Sequence, residues 1–346
     1  MILRYLLLLL PILADLLLLY QISKEVRLKS IKGEHKGFAS VIIPIKGLDV
    51  GLEENVKSLL SQDYPKYEVI YVVDDYNDPC ISVLRKYNVK IIKTENICEK
   101  CSGKIKAQLT GLKYASGDVI VFGDSDTWYP RYWLKELVKP LSDYIATTVF
   151  SWPKPYRFSF SNFIRAGFWT FGFESQAIGG TFLWGGSMAF KRDFFDSYVI
   201  QELSKNWCDD CTLTRIAKER GKIGFVINAI PLNVFDEKDL INWSKRQIIT
   251  VYVYSRKGFY AFLIVSIFFL LFLALSILFP SYFSIIFLSP LIMWIIKNII
   301  RGHRVGYSLL PAIASIPAMF FVLILTPFAL KQKYIVWRGT KYYINL

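Results

Sequence analysis

Two aspartates separated by one residue follow an apolar run in the segment VIVFGDSD, residues 119–126. The apolar run predicts a buried strand, because β-branched side chains fit a pleated and covered surface. Ligands of α/β sheets bind beyond the carboxyl ends of the strands. Asp124 and Asp126 would therefore place two hard oxygen ligands at such a site. That arrangement suits a Mg²⁺ or Mn²⁺ ion that also holds a diphosphate.

A second acidic pair, Asp74-Asp75, follows the apolar run EVIYVV at residues 68–73. A carboxylate at the end of a strand can accept a hydrogen bond from a uracil N–H or a ribose hydroxyl. Aspartates are equally common in turns and helix caps. The sequence therefore leaves two interpretations of Asp74 and Asp75 open, nucleotide binding and local turn chemistry.

A third pair, Asp209-Asp210, lies at a predicted helix start in NWCDDCTLTR. One interpretation is helix capping with a favourable dipole interaction. The other is a general base that removes a proton from an acceptor hydroxyl.

Gly103-Lys104 begins the helix that precedes the strand at residue 119. A lysine ammonium and the N–H groups of a helix start can hold a phosphate or a base there. A solvated loop lysine is the alternative.

The elements that would position these residues alternate along the chain. Strands are predicted at 38–45, 68–73, 89–93 and 118–122, and helices at 52–60, 104–115 and 213–220. Short connections between alternating strands and helices predict an α/β fold with an open, mostly parallel sheet covered on both faces.

The composition points to a membrane. Of the 346 residues, 53% are apolar, the mean hydropathy is +0.33, and the apolar residues collect at the two ends of the chain. The net charge of +14 would suit nucleic acid, but no nucleic-acid-binding module is recognisable. A protein that lies on an anionic leaflet and holds an anionic nucleotide explains the charge better.

Hydropathy predicts five segments. They are a transmembrane anchor at 1–21, a cytoplasmic domain at 22–237, an amphipathic interfacial helix at 238–257, a membrane region of two or three spans at 258–330, and a basic tail at 331–346. Basic residues after the anchor place the domain in the cytoplasm. The last apolar segment, 306–330, contains Pro311, Pro317 and Pro327. It is therefore a candidate for a broken or re-entrant helix, and whether it crosses fully stays open.

Four of the five cysteines form two C-x-x-C pairs, Cys98 with Cys101 and Cys208 with Cys211. The spacing alone is compatible with free thiols, a zinc site or local disulfides. Both histidines lie outside these motifs, so histidine-based catalysis is not expected.

The motifs together resemble family 2 glycosyltransferases and, among them, the ceramide glucosyltransferase-like membrane enzymes. The resemblance covers roughly residues 38–256. Its matching segments are VIIPIKG, VVDDYND, SGKIKAQLTGLKYASGD, GDSD, GGSMAFKRD and CDDCTLTRIAKERG. Leu109 stands where the family commonly has Asn. The family usually carries a Gln/Arg-x-x-Arg-Trp motif after the base, whereas this chain has Trp243 but Asp239 and Asn242 at the two polar positions.

The resemblance implies a GT-A-like domain flanked by transmembrane helices, and an inverting transfer of a sugar from a nucleotide-sugar, a UDP-sugar first of all. It assigns the catalytic base to Asp210 and a divalent metal to Asp124 and Asp126. Asp74, Asp75, Lys104 and Asp124 would bind the donor. Trp243 would join them from the interfacial helix, where Arg246, one turn on, could supply the missing guanidinium.

A membrane lipid is the expected acceptor. A polysaccharide synthase is disfavoured by the small number of spans. A polyprenyl-phosphate acceptor stays open, because a phosphate is its own nucleophile and needs no Asp210. A non-catalytic membrane scaffold would have no reason to keep Asp124, Asp126 and Asp210 together. A transporter is disfavoured because the hydrophobic segments are not repeated.

Overall fold

A computed structural model describes residues 2–177, 179, 181–280, 282–306, 309–337 and 340–344. Internal contacts divide the chain into two units. The α/β unit comprises Lys29–Tyr156 and Gly179–Asp236, and the helical unit comprises Met1–Leu28, Arg157–Ile178 and Glu237–Leu346.

A seven-stranded sheet forms the centre of the α/β unit. Its strands are β1 (Ala39–Ile45), β2 (Tyr67–Val73), β3 (Lys90–Lys93), β4 (Val119–Gly123), β6 (Ala146–Thr148), β8 (Ser187–Lys191) and β9 (Ile223–Phe225), in the order β3-β2-β1-β4-β8-β6-β9. A smaller sheet joins β5 (Thr127–Trp128), β10 (Leu232–Phe235) and β7 (Trp152–Pro155). In the large sheet β8 runs antiparallel to β4 and β6, while the other neighbours are parallel.

Helices pack on this sheet. They are α2 (Leu52–Leu60), α3 (Ile81–Leu84), α4 (Gly103–Tyr114), α5 (Trp133–Val138), α7 (Ser197–Ser204) and α8 (Asp209–Arg220), with short 3₁₀ turns at Lys139–Ser142 and Arg192–Phe194. Helix α4 approaches β1 closely, because a side chain at Gly111 would meet Ile42. The continuous apolar runs of β1, β2 and β4 are buried almost throughout, as expected for parallel strands covered on both faces.

The predicted α/β fold with a mostly parallel sheet is confirmed. The predicted strands and helices in the first 122 residues of the chain agree with β1 to β4, α2 and α4 within one residue. Helix α8 begins at Asp209 rather than at the predicted residue 213. The antiparallel β8 follows the Gly185-Gly186 break, which the sequence marks as a loop but not as a reversal of direction.

The helical unit contains the apolar segments. Its elements are α1 (Ile2–Arg27), α6 (Phe160–Ala177), α9 (Leu240–Tyr254), α10 (Arg256–Leu278), α11 (Tyr282–His303), α12 (Leu309–Leu330) and the hairpin of β11 (Tyr334–Trp337) with β12 (Thr340–Tyr343). Among the described residues, four helices are long and apolar enough to cross a membrane: α1 from Leu7, α10, α11 and α12. The region at 258–330 thus holds three such helices.

The contacts divide the chain differently from the predicted domain boundaries. Helix α1 continues to Arg27, past the predicted anchor end at residue 21. Residues 157–178, predicted as part of the cytoplasmic domain, belong to the helical unit. The reason is close packing of α6 on α12, where a side chain at Gly167 would meet Ala314 and Ala318.

The C-terminal segments also differ from expectation. Helix α12 is continuous through Pro317 and Pro327, so this segment is not broken at these prolines, and whether it crosses a membrane stays open. The predicted basic tail at 331–346 contains the β11–β12 hairpin, and β11 packs against α9. Arg338, one of the basic residues of that tail, lies outside the described residues.

A buried cluster of charges joins three helices of this unit. Lys297 of α11 donates to Gln21 of α1 at 2.8 Å and lies 2.8 Å from Glu174 of α6. Arg301 pairs with Glu25 of α1, and its Nη2 lies 2.7 Å from Glu174 Oε2. Both basic side chains are 1% exposed. Because two acids balance two bases at contact distance, the cluster can exist in an apolar surrounding.

We expect Glu174→Gln to destabilise the protein by about 3 kcal/mol, since it leaves Lys297 and Arg301 with less buried counter-charge. The matched control is Glu202→Gln, which breaks the exposed ion pairs of Glu202 with Lys205 and Arg215. That change should cost less than about 1 kcal/mol. Thermal unfolding in detergent compares the two variants, and equal midpoints would contradict a structural role for the cluster.

Candidate active site

Lys104 is the centre of a charged cluster in the α/β unit. Helix α4 begins at Gly103, where Ser102 caps it by accepting a hydrogen bond from the Ile105 N–H at 3.3 Å. This start places the Lys104 Nζ atom 2.8 Å from Asp124 Oδ1 and 3.3 Å from Asp209 Oδ2. The lysine side chain is 13% exposed. The alternative of a solvated loop lysine is therefore wrong.

Asp124 is fixed where β4 ends. Its N–H donates to the Tyr129 hydroxyl at 2.8 Å, and its carbonyl oxygen accepts from Asn55 Nδ2 at 3.1 Å. The preceding residue must be glycine, because a side chain at Gly123 would come within 2.6 Å of the same tyrosine hydroxyl. The hydrogen bonds of its backbone thus fix the position of Asp124, while its carboxylate stays partly exposed.

Asp126 is held by the smaller sheet. Its Oδ1 accepts from Asn233 Nδ2 at 2.9 Å, and its carbonyl oxygen accepts from the Val234 N–H at 2.7 Å. The side chain between the two aspartates, Ser125, turns away and donates to Asp49 at 2.6 Å. Two partly exposed carboxylates on one turn match the hard oxygen ligands of Mg²⁺ or Mn²⁺. The oxygen donors of Asp124 and Asp126 therefore fit the predicted divalent metal.

Asp209 and Asp210 form the first turn of α8 and serve different contacts. Asp209 is buried, and its Oδ2 accepts from Gln108 Nε2 at 2.7 Å as well as contacting Lys104. Asp210 is only partly buried, and its Oδ2 accepts from the Gly185 N–H at 2.9 Å. Asp210 is therefore the more exposed carboxylate of the pair.

Gly185 and Gly186 let the backbone pass close to these charges. A Cβ atom on Gly185 would lie 2.8 Å from Lys104 Nζ and 3.2 Å from Asp210 Oδ2. On Gly186 it would lie 2.6 Å from Asp124 Oδ2. The two glycines therefore leave room at the cluster that any side chain would fill.

Neighbouring charges and burial change the pKa values of Lys104 and Asp210. Burial by itself would lower the pKa of Lys104, but the carboxylates of Asp124, Asp209 and Asp210 outweigh burial and raise that pKa, so the ammonium stays charged. Burial raises the pKa of Asp210 to about 7, and the Asp209 carboxylate adds to the increase. A carboxyl group with a pKa near neutrality is suited to take up a proton and release it again.

The four C-x-x-C cysteines are paired as local disulfides, Cys98 with Cys101 and Cys208 with Cys211. Of the three states that the sequence left open, the structure has this one. The two segments are neighbours, since the Ser102 N–H donates to the Asn206 carbonyl. Asp209 and Asp210 lie between the two cysteines of the Cys208–Cys211 disulfide in the sequence.

Asp74 and Asp75 lie after the end of β2, as predicted, but in exposed ion pairs. Asp74 pairs with Lys46 at 2.9 Å and Asp75 with Lys93 at 2.8 Å. Asp75 also accepts from the Asn77 N–H at 2.9 Å, which is the turn chemistry that the sequence allowed. Neither aspartate belongs to the Lys104 cluster, and their role in nucleotide binding stays a prediction.

Trp243 and Arg246 both lie on α9 in the helical unit. Trp243 is buried against Phe168 and Trp169, and the Arg165 guanidinium lies 4.9 Å from its ring centre. Packing within the helical unit is therefore enough to explain why the Trp243 side chain is buried. The proposed contacts of both residues with the donor stay predictions.

The sequence analysis missed several residues that support the candidate site. Gln108, Asn55 and Asn233 are buried amides that hold Asp209, Asp124 and Asp126. Gln108 could have been found from its place one turn after Lys104 on α4. Asn55 and Asn233 come from other elements, so only the fold brings them to the site.

Residues 40–199 match the family model Glycosyl transferase family 2. The match contains β1 from Ser40 onward, Lys104, Asp124, Asp126 and the glycine pair Gly185-Gly186. The chain carries a glycosyl transferase family 2 domain. With the mostly parallel sheet described above, the α/β unit has a GT-A-like fold.

Curated relatives of this glycosyltransferase domain match over short stretches. A ceramide glucosyltransferase of Komagataella phaffii is 32% identical over 99 residues, which is 26% of this chain and 19% of that protein. A poly(ribitol-phosphate) beta-N-acetylglucosaminyltransferase of Staphylococcus aureus is 32% identical over 100 residues, 28% of this chain and 18% of that protein. The chain thus spans about a fifth of the length of these relatives.

Among solved structures, a mannosyltransferase from Pyrobaculum calidifontis in complex with GDP-Man and Mn²⁺ is similar to this chain. The TM-score is 0.48 at 18% identity, and the alignment covers 93% of this chain and 90% of that chain.

Lys104→Met should move the pH dependence of sugar transfer. A general base at Asp210 would accept a proton only when ionised, so we expect activity of the unchanged protein to rise with pH around its pKa of about 7. Loss of the neighbouring ammonium disfavours the ionised carboxylate and should shift this rise upward by about one pH unit. The measurement is a pH profile of nucleotide release from the donor at saturating metal.

Lys106→Met is the matched control, because Lys106 lies on the same helix but contacts the exposed Asn96. Its profile should coincide with that of the unchanged protein. A Lys104→Met profile that keeps its midpoint would show that the ammonium does not set the protonation of Asp210.

Proposed function

We propose that this protein is a metal-dependent inverting glycosyltransferase that moves a sugar from a nucleotide-sugar, first of all a UDP-sugar, to a hydroxyl group of a membrane lipid. The observation that carries the proposal is the Lys104 cluster. It brings the D-x-D carboxylate Asp124 and the candidate base turn Asp209-Asp210 to a common ammonium, beside Gly185 and Gly186.

In this proposal Asp124 and Asp126 hold a divalent cation. When bound, the ion supplies positive charge for the diphosphate that leaves the sugar. Lys104 adds a second positive charge on the same side of the site. Its charge also offsets the repulsion between the neighbouring carboxylates of Asp124 and Asp209.

Asp210 acts on the acceptor. Its carboxylate takes the proton from the acceptor hydroxyl while that oxygen attacks the anomeric carbon. The nucleoside diphosphate leaves from the opposite face, so the configuration inverts. The pKa of about 7 lets Asp210 accept this proton near neutral pH. Asp74 and Asp75 would contact the nucleoside, at the cost of exchanging their pairs with Lys46 and Lys93.

A lipid acceptor is supported by the chain's own helices and by one group of relatives. Four described helices have the length and apolarity to cross a membrane, and ceramide glucosyltransferases are among the matches. Basic residues at the end of α1, Lys24 and Arg27, favour a cytoplasmic α/β unit, where nucleotide-sugars are available.

The first experiment is a donor panel. The purified protein in lipid is incubated with UDP- and GDP-sugars, Mn²⁺ or Mg²⁺, and a membrane lipid extract, and nucleotide release is measured. We expect release that depends on the metal, prefers UDP-sugars and increases with lipid. Asp126→Asn should reduce it by weakening the metal site. No release with any donor, together with an inert Asp126→Asn change, would favour the scaffold alternative.

Asp210→Asn tests the acceptor class. With a hydroxyl acceptor, loss of the base should lower the turnover number by about 10²–10⁴-fold while the donor affinity changes little. A polyprenyl-phosphate acceptor carries its own nucleophile, so transfer to it should survive the change. Product analysis with both lipid classes separates these outcomes.

Arg246→Ala tests the substitute for the family's missing arginine. If the guanidinium binds the diphosphate, its removal should raise the KM for the donor by about tenfold, because one charge-assisted hydrogen bond is lost. Lys245→Ala, the neighbouring change on α9, serves as the control. Unchanged turnover and nucleotide affinity in Arg246→Ala would refute the assignment.

A further inference from the structure

The turn that carries the candidate base also brings two sulfur atoms to its carboxylate. Cys208 precedes α8 and Cys211 lies in its first turn. The Cys208 Sγ lies 3.1 Å and the Cys211 Sγ 3.5 Å from Asp210 Oδ1. The three side chains form a group of potential metal ligands within 4.8 Å of one another.

The two sulfur-to-oxygen separations are close to those around a tetrahedral soft cation, whereas the two sulfur atoms must move apart after reduction. Zinc bonds of about 2.3 Å to sulfur and about 2.0 Å to a carboxylate oxygen place sulfur and oxygen about 3.5 Å apart. The carboxylate therefore already lies at ligand spacing from both sulfurs. The disulfide keeps the sulfurs from binding a metal, because the thiolate is the ligand.

We propose that reduction of the Cys208–Cys211 disulfide creates a binding site for a soft divalent cation such as Zn²⁺, with the two thiolates and the Asp210 carboxylate as ligands. This site is distinct from the hard-oxygen site at Asp124 and Asp126. Its effect on catalysis rests on the proposed function of Asp210, whereas binding of the cation does not.

The chemistry balances with a phosphine as reductant. One phosphine and one water convert the disulfide to two thiols and a phosphine oxide, a two-electron reduction. Binding of Zn²⁺ then releases the two thiol protons to solvent. The N-terminus of α8 favours thiolates at this turn, because its free N–H groups and dipole stabilise negative charge.

The bound cation would switch off the base. An Asp210 oxygen that is bonded to Zn²⁺ cannot accept a proton from an acceptor hydroxyl. The oxidised turn leaves Asp210 free to act, whereas the reduced turn with zinc blocks it. Disulfide state and zinc together would thereby control sugar transfer.

Cobalt absorption tests the site directly. The protein with Cys98→Ser and Cys101→Ser is reduced with a phosphine, freed of reductant under anaerobic conditions and titrated with Co²⁺. We expect thiolate-to-cobalt charge-transfer bands that saturate at one equivalent and disappear when Zn²⁺ is added. Burial raises the pKa of the remaining Cys80 thiol to about 12, so Cys80 should not contribute.

Three controls locate the ligands. The oxidised protein should give no bands, and a further Cys208→Ser change should abolish them. Asp210→Asn should weaken cobalt binding by about tenfold or more, as loss of a ligand does at least as much as loss of its supporting contacts. Should Cys98→Ser with Cys101→Ser not fold, the otherwise unchanged protein and its Cys208→Ser/Cys211→Ser variant should differ by one bound cobalt.

Zinc should also inhibit nucleotide release by the reduced protein and not by the oxidised one, at saturating Mg²⁺. Absence of charge-transfer bands after reduction, or an unchanged affinity in Asp210→Asn, would overturn the proposed site. Absence of any nucleotide release before reduction would instead overturn the proposed function and leave the cobalt result intact.

Discussion

The contact between the Lys104 ammonium and the carboxylates of Asp124 and Asp209 is the interaction on which the candidate site depends. These aspartates come from elements far apart in sequence, the end of β4 and the start of α8. Without a cation between them, three neighbouring carboxylates with Asp210 would repel one another in a space of low dielectric constant. With the Lys104 ammonium in place, the Asp124 carboxylate can bind a metal ion while the nearby Asp210 carboxylate accepts a proton. Gly185 and Gly186 belong to the same constraint, because side chains there would displace the charges.

The sequence allowed a good prediction of the sheet and of its charged edge. Continuous apolar runs identify β1, β2 and β4, and parallel strands necessarily end at one edge, so aspartates after β2 and β4 had to lie there. Asp124 and Asp126 were predicted in this way, Lys104 and Asp209-Asp210 were singled out at helix starts, and the family resemblance selected Asp210 as the base. The order of the strands alone does not predict how far apart side chains lie along this edge of the sheet. Asp74 and Asp75 share the edge, yet they lie in exposed pairs rather than in the cluster.

What the sequence could not predict depends on contacts between remote segments. Helix α6 is aromatic and only moderately amphipathic, so nothing local says that Gly167 lets it pack on α12. The direction of β8 follows from its neighbours β4 and β6, since its own residues suit either direction. The state of the cysteines is likewise a property of the fold, because C-x-x-C spacing is shared by thiols, zinc sites and disulfides.

The buried charge cluster of the helical unit has a consequence for the order in which its charges are synthesised. Arg301 and Lys297 lie in the last two turns of α11, and a buried basic side chain without its counter-charge is costly. Their counter-charges, Glu25 and Glu174, both come earlier in the chain. Both acidic residues are therefore synthesised before either basic residue, so the carboxylates are already present when α11 is made. A circular permutant that began with α11 would contain the same pairs in the finished protein, but its two cations would be synthesised before their partners.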